Sequence, residues 1–337
     1  AYDAQTDTYN FMHNFQDMKK YFEKADCVIG NIETTFGGTV SDYPMFSTPD
    51  SFIDALKDAG FDILTTANNH CMDSGSDGLI RTLDKLDEYG ISHMGTYRTK
   101  EESQNILVQN INGINVAFLS YTYGTNGIPV KNSYMVNIID DTTKDKIKSD
   151  IEKAREISDI VVVMPHMGTE YKETPDDYVV EYIDEMFNWG ADIVVASHPH
   201  VLLPMEYKTV VDKDGTERQC FVMYSMGNFI SSQTTVPRNA SILLNIDIKK
   251  IDDNKATVEN VSFVPIWTQF RGTDGIDHFV VRSVYEMLTL PVDEQNALLR
   301  QKDIARLNDI QYETTKKLLQ YDIPIEQIQD EYLFVRP

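Results

Sequence analysis

Basic residues are in short supply: 30 Lys and Arg stand against 53 Asp and Glu, a formal net charge of −23. Binding a phosphate backbone needs a basic footprint, so this balance argues against nucleic acid as a partner. It disfavours an anionic lipid surface for the same reason. A polyanionic substrate remains compatible, because metal ions and a local group of Lys or Arg can invert the field inside one cleft. Cysteine is rarer still. Cys27, Cys71 and Cys220 show no Cys-x-x-Cys spacing, and three mostly buried thiols fit better than a disulfide framework. Long apolar runs are missing too, each being broken within about ten residues, well short of a membrane span. The start, Ala1-Tyr2-Asp3-Ala4, has no basic or apolar leader region, as a mature or trimmed chain would also look. Internal repeats, low-complexity tracts and Gly/Ser linkers are absent from the sequence.

What is present speaks for a folded α/β chain. An apolar fraction of 42% with 18 tyrosines excludes wholesale disorder, and 337 residues can bury a substantial core. Helical spacing over 15–25 leads into a strand at Cys27–Glu33. Asp50 is placed to cap a helix over 51–59, stopped by Gly60. A strand from Phe61, a helix over 76–89 and a hairpin turning at Asn112-Gly113 follow. Charged helices over 142–157 and after Asp176 precede strands at Ile160 and Ile193. Beyond His200 the pattern changes to long hairpins, turning at 212–215 and 252–254. From about 283 the chain reads as helical. This order predicts two packed sheets covered by helices. It gives one domain over 1–282 and a helical appendix over 283–337, packed on it or serving as a homodimer contact.

Chemistry concentrates where apolar runs stop. His70, His166, His198 and His200 each follow a β-branched run, at the strand ends where α/β proteins place their ligands. His198-Pro199-His200 puts two imidazoles on alternate residues, which in extended backbone point the same way. His166 adds a third donor. Asn69, Asn31 and Glu33 add oxygen atoms suited to harder cations. Together they have the character of a dinuclear hydrolase site. Plainer readings stand beside this one. A lone strand-end His is more often a hydrogen-bonded structural residue, Asn68 and Asn69 are ordinary turn residues, and Asp73 serves equally as a helix cap or a catalytic group.

The segments Gly30-Asn31-Ile32-Glu33, Ala67 to Gly75, Pro165-His166-Met167-Gly168-Thr169-Glu170-Tyr171, Ser197-His198-Pro199-His200-Val201 and Tyr224-Ser225-Met226-Gly227-Asn228-Phe229 occur in that order. Their succession resembles the bacterial poly-gamma-glutamate capsule biosynthesis (CapA-type) family, related to calcineurin-like metallophosphoesterases. The resemblance covers roughly 15–270. It implies a four-layer α/β/β/α metallophosphoesterase-like sandwich with the site at the strand ends. Divalent ions (Mn, Fe or Zn) would be held by Asn69, His166, His198 and His200, with Asn31 or Glu33 in the place of the bridging acid. His70, with Asp73 nearby, takes the catalytic position. Glu170, Glu206, Ser225 and Asn228 become candidate substrate contacts. Two departures are expected to matter. The family's opening strand, which ends in Gly-Asp, has no counterpart before Gly30, so the sandwich is expected to lack its first strand and the metal site to be weakened or partial. Asn31 is also neutral where an acid is usual.

The resemblance further implies action on a γ-linked polyglutamate or related envelope polymer, as a metal-dependent hydrolase or transferase. It places the protein on the outer face of a bacterial membrane, with an anchor upstream and synthase or export subunits as partners. A non-catalytic polymer-binding or assembly role is the alternative, and a phosphoesterase acting on a small phosphoester is a third that rests on fold alone.

Overall fold

The computed structural model describes residues 2–3, 8–253 and 255–336. Asn254, in the predicted turn at 252–254, and Ala1 lie outside the described residues. After a small antiparallel pairing of Tyr2–Asp3 with Thr8–Tyr9 come three short parallel strands: β1 (Ile29–Asn31), β2 (Ile63–Thr65) and β3 (Ser92–Met94). They are linked by α1 (Ser51–Ala59) and α2 (Gly75–Glu88). Gly60 ends α1 at φ +106, its N–H bonding Leu56 O at 3.2 Å, a left-handed cap open to a residue without Cβ. Asp50 does not cap that helix. Its carboxylate accepts from Arg81 at 2.7 and 2.8 Å, a fork that outcompetes the local bond. The helix expected over 15–25 shrinks to Lys19–Phe22, because Phe15 and Met18 bury themselves against α1 in a turn.

The central sheet has six strands: β4 (Leu107–Ile111), β5 (Ile114–Thr122), β6 (Ile160–His166), β7 (Ile193–Val195), β8 (Met205–Val211) and β9 (Glu217–Met223). Their spatial order is β8-β9-β7-β6-β5-β4, parallel in the middle with an antiparallel strand at each edge. Asn112 and Gly113 hold φ +51 and +84, the paired left-handed conformations of a tight hairpin turn. On one face Val161 and Val163 pack against α3 (Lys144–Ile157) and α4 (Asp177–Trp189). The other face meets a second layer, made of β1–β3 together with β10 (Ala240–Asp252), β11 (Lys255–Arg271) and β12 (Asp277–Ser283).

Alternation along β11 sets that layer. Val261 and Phe263 turn to the central sheet, while Val264 and Ile266 turn to Ile53 and Leu56 of α1. Helix, sheet, sheet and helix therefore stack as expected. The segment beyond 283 is helical, ending in α5 (Gln301–Leu319), and it also contributes β13 (Tyr332–Phe334), which pairs with Val261–Phe263. The tail is thus stitched into the second sheet as well as packed on it. The cysteines are free. Cys71 and Cys220 are buried and Cys27 half-buried, and burial pushes all three thiols up to about 12.

The second layer is interrupted. Among the described residues β1 pairs only with β2, and β10 only with β11 apart from one bridge from Ser241 to Gly227. Their two open edges line a single cavity of about 1820 Å³. Phe118, Val162 and Val195 line it from the central sheet, and Phe15, Phe61 and Phe229 from the α1 side. This is where an additional strand would make β1–β3 and β10–β12 continuous. The same cavity opens at one end onto the histidine-rich strand ends.

Candidate functional site

Parallel strands end on one side of a sheet, and here those ends deliver the chemistry. His166 is the last residue of β6, Asn31 the last of β1, and the loop after β2 carries Asn69, His70 and Asp73. His198 and His200 come from the loop after β7. Their backbone is not extended: φ is +106 at His198 and +60 at His200. The expected strand-like alternation is therefore replaced by two left-handed residues, a strained arrangement held from outside. Met167 N donates to Ser197 O at 3.0 Å, Tyr171 N to Pro199 O at 2.8 Å, and the His200 ring is fixed through Nδ1 by Asn228 Oδ1 at 2.8 Å. Both imidazoles still reach one centre, with rings 6.0 Å apart and His166 4.9 Å from His198.

Two overlapping donor groups result: Glu33, His166 and His198, and Glu170, His198 and His200, each with its ligand atoms within 4.8 Å of one another. Ser197 Oγ takes His166 Nδ1 at 2.8 Å, so Nε2 faces Asn69 Oδ1 at 2.9 Å and Glu33 Oε1 at 3.6 Å. Glu33 Oε1 and His198 Nδ1 are buried without a hydrogen-bond partner, which is costly unless something else satisfies them. Burial raises the Glu33 carboxyl above its ordinary value, against the pull of His200 and His70. Three imidazoles, two carboxylates and an amide oxygen, with orphaned donors at the centre, fit a divalent first-row ion.

Burial and the neighbouring His200 push His198 down to about 4, and burial with the nearby histidines holds His166 well below its usual value. Between about pH 6.5 and 4 the unfolded chain therefore binds more protons at His198 than the folded one does. Stability of the metal-free protein should rise with pH across that window and be complete above it. Urea midpoints should fall between about pH 7 and 5, and fall less in His198→Gln. Equal falls in the two proteins would contradict the assignment.

Beside the cluster, His70 Nδ1 lies 2.7 Å from Asp73 Oδ2, which also accepts Phe46 N at 2.6 Å. A carboxylate only accepts, so Nδ1 carries the proton and Nε2 is left to the cavity. The Phe46 ring packs 4.6 Å from the imidazole. Asp73 orients His70 and does not cap α2. Asn31 is tied into the scaffold: its carbonyl accepts from Thr65 at 2.9 Å and Asn68 at 3.2 Å. Asn228 lines the cavity and holds His200, whereas Ser225 is buried, with Oγ accepting Gly227 N at 3.2 Å. Glu206 is bound to Tyr224 at 2.6 Å and Lys208 at 3.4 Å and does not line the cavity. Sequence reasoning passed over three neighbours. Asn126 accepts from Asn69 Nδ2 at 3.2 Å, Tyr123 packs 4.6 Å from His198, and Tyr171 stacks 5.8 Å from His200. Only Tyr171, next to Glu170 in a quoted motif, had a signal that would have drawn attention.

Comparison with known proteins adds the following. Residues 1–233 match the family model described as bacterial capsule synthesis protein PGA_cap. A relative named PGA biosynthesis protein CapA, from Bacillus subtilis (strain 168), is 32% identical over 244 residues, 70% of this chain and 61% of the relative. One named capsule biosynthesis protein CapA, from Bacillus anthracis, is 28% identical over 308 residues, 86% of this chain and 69% of the relative. The match thus spans only part of these curated relatives, 61% of the first and 69% of the second. Among solved structures, the NAD nucleotidase NadN of Haemophilus influenzae gives a TM-score of 0.48 at 14% identity, covering 91% of this chain and 50% of that one.

Proposed function

From the chain's membership of the bacterial capsule synthesis protein family PGA_cap, to which it belongs, we infer a role in forming a cell-envelope polymer. The reading the site supports best is a metal-dependent hydrolase or transferase acting on a γ-linked glutamyl chain. The observation that carries it is the pair of donor groups sharing His198, with Glu33 and His198 atoms left unpartnered beside an oriented His70. Glu33, Glu170, His166, His198, His200 and Asn69 would hold the ions, Mn, Fe or Zn. A bound ion supplies Lewis-acid polarisation of the carbonyl or phosphoryl oxygen under attack.

The chain's own residues do the rest. Asp73 keeps the His70 ring in place, and Phe46 shields one face of it from water. As water, or an acceptor amine in transfer, adds to the γ-carbonyl carbon and the C–N bond breaks, His70 in its imidazolium form, with Nδ1–H kept on Asp73, would give its Nε2 proton to the leaving amine. Asn228 holds His200 through Nδ1, leaving Nε2 on the side of Glu33, 3.9 Å away. Cleavage or transfer of synthetic γ-linked glutamate oligomers, followed by mass spectrometry, tests this. His70→Ala should slow it about 100- to 10,000-fold while leaving metal content unchanged. Full activity in that variant would remove His70 from the mechanism.

A second reading, a non-catalytic subunit that binds the polymer or docks a membrane synthase, draws support from Asn31. Its neutral side chain is committed to Thr65 and Asn68 and contributes no negative charge. Polymer binding that persists in EDTA would favour that reading. An outer-face location with an upstream anchor accords with either; among the described residues no helix is long and apolar enough to cross a membrane.

A further inference from the structure

Among the described residues Arg238 is unusual for having no acidic partner. Every other arginine except Arg336 sits at ion-pair distance from a carboxylate, and Arg336 donates to Val258 O. Acidic side chains outnumber basic ones 53 to 30, yet none among the described residues reaches the Arg238 guanidinium. It lies instead over the ring of Tyr171, with Cζ 3.7 Å from the ring centroid.

That ring belongs to the site. Tyr171 stacks on His200 with centroids 5.8 Å apart and planes at 27°. Its backbone is left-handed, φ +64, and pinned by the bond to Pro199 O. Asn228 ties the two sides together. Its oxygen meets His200 Nδ1 at 2.8 Å, while its Nδ2 donates to Arg238 O at 3.0 Å. One amide thus sets the positions of a candidate metal ligand and of an unpaired cation. Stacking on an aromatic face restrains a guanidinium and leaves its planar edge, with its forked donors, free for a ligand.

Electrostatics indicates what that ligand is. Glu33, Glu170 and Asp73 surround the histidines, and the whole protein carries −23, so an anionic chain is repelled except where a local cation intervenes. We propose that Arg238, stacked on Tyr171, is the carboxylate-recognition residue of this site and takes the free carboxylate of a γ-linked glutamyl residue bound beside His200. The proposal rests on the polymer reading above. Each γ-linked residue offers one free carboxylate, which matches the guanidinium fork with two parallel bonds.

Fluorescence anisotropy with a labelled γ-linked hexaglutamate tests it, using the metal-loaded protein and its Arg238→Gln and Arg238→Lys variants. Arg238→Gln should weaken binding about tenfold or more, and Arg238→Lys should restore only part of the loss, since a point charge cannot form the fork. A hexamer whose free carboxylates are amidated should bind wild type and Arg238→Gln equally. Metal content and melting temperature should match wild type in both variants, which separates a binding effect from misfolding. Equal hexaglutamate affinity in wild type and Arg238→Gln overturns the assignment and leaves the polymer reading standing. No binding by wild type overturns the polymer reading itself. Arg238-dependent binding of inorganic phosphate without hexaglutamate binding would reassign the stack to a phosphoester and overturn the carboxylate assignment.

Discussion

Tethering a designed apolar strand of about five residues ahead of Tyr2, through a flexible Gly/Ser linker, is expected to raise the melting temperature by about 3–7 °C. The reason lies in the two open edges of β1 and β10, which face one apolar cavity between the central sheet and the α1 side. Ordering each added residue costs about 1–2 kcal/mol. Burying a Val or Ile side chain returns about 1.5–3 kcal/mol, and each bond to an edge adds about 1 kcal/mol. A strand apolar on both faces therefore gains a few kcal/mol net, at about 1.4 °C per kcal/mol for a chain of this length. Hydrogen exchange should slow at Ile29 and Asn31 and over 243–246, the edges the strand would cover. Cys27, half-buried in the lining, should lose reactivity toward small thiol reagents. Unchanged exchange at both edges would show that the groove does not take a strand.

The groove also marks how far the sequence could be read. Strand runs such as Ile160–His166 and the Asn112-Gly113 turn are local patterns, and the structure places both where the patterns did. Layering followed from their order. The shape of the groove depends on Phe15, Phe229 and Phe118, which meet only in three dimensions, so no local pattern announced it. The site divides in the same way. His166 at a strand end was legible from β-branched residues alone, and Glu33 from its place in a motif. The turn that aims His198 and His200 was not, because nothing in His-Pro-His announces positive φ at non-glycine residues. Contacts made across long separations left no local trace at all. Phe46 reaches Asp73 from 27 residues upstream, and Arg238 covers a tyrosine in a different loop. Glu206 looked like Glu170, an acid near a strand end, yet it stands on β8, where Lys208 and Tyr224 hold it.

Removing His198 is expected to have the largest effect on metal binding of any single substitution. It is the one side chain common to both donor groups, whereas Glu33 with His166, and Glu170 with His200, each serve one. Loss of even a residue that only orients a ligand typically costs 10- to 100-fold in affinity, so loss of a shared ligand should cost about 100-fold or more for every ion bound. Elemental analysis after dialysis against micromolar Mn or Zn would show His198→Ala nearly empty and Glu170→Gln with its second group emptied and its first retained. Asn31→Ala should keep wild-type content, because that amide's oxygen is spent on Thr65 and Asn68. The comparison also discriminates among ligand schemes: an Asn31 variant that loses metal as His198→Ala does would put the amide in the coordination sphere and Glu33 outside it. A melting curve on the metal-free proteins separates this from unfolding. Metal-free His198→Ala should melt no lower than metal-free wild type at about pH 5, since it sheds a buried imidazole that resists protonation there.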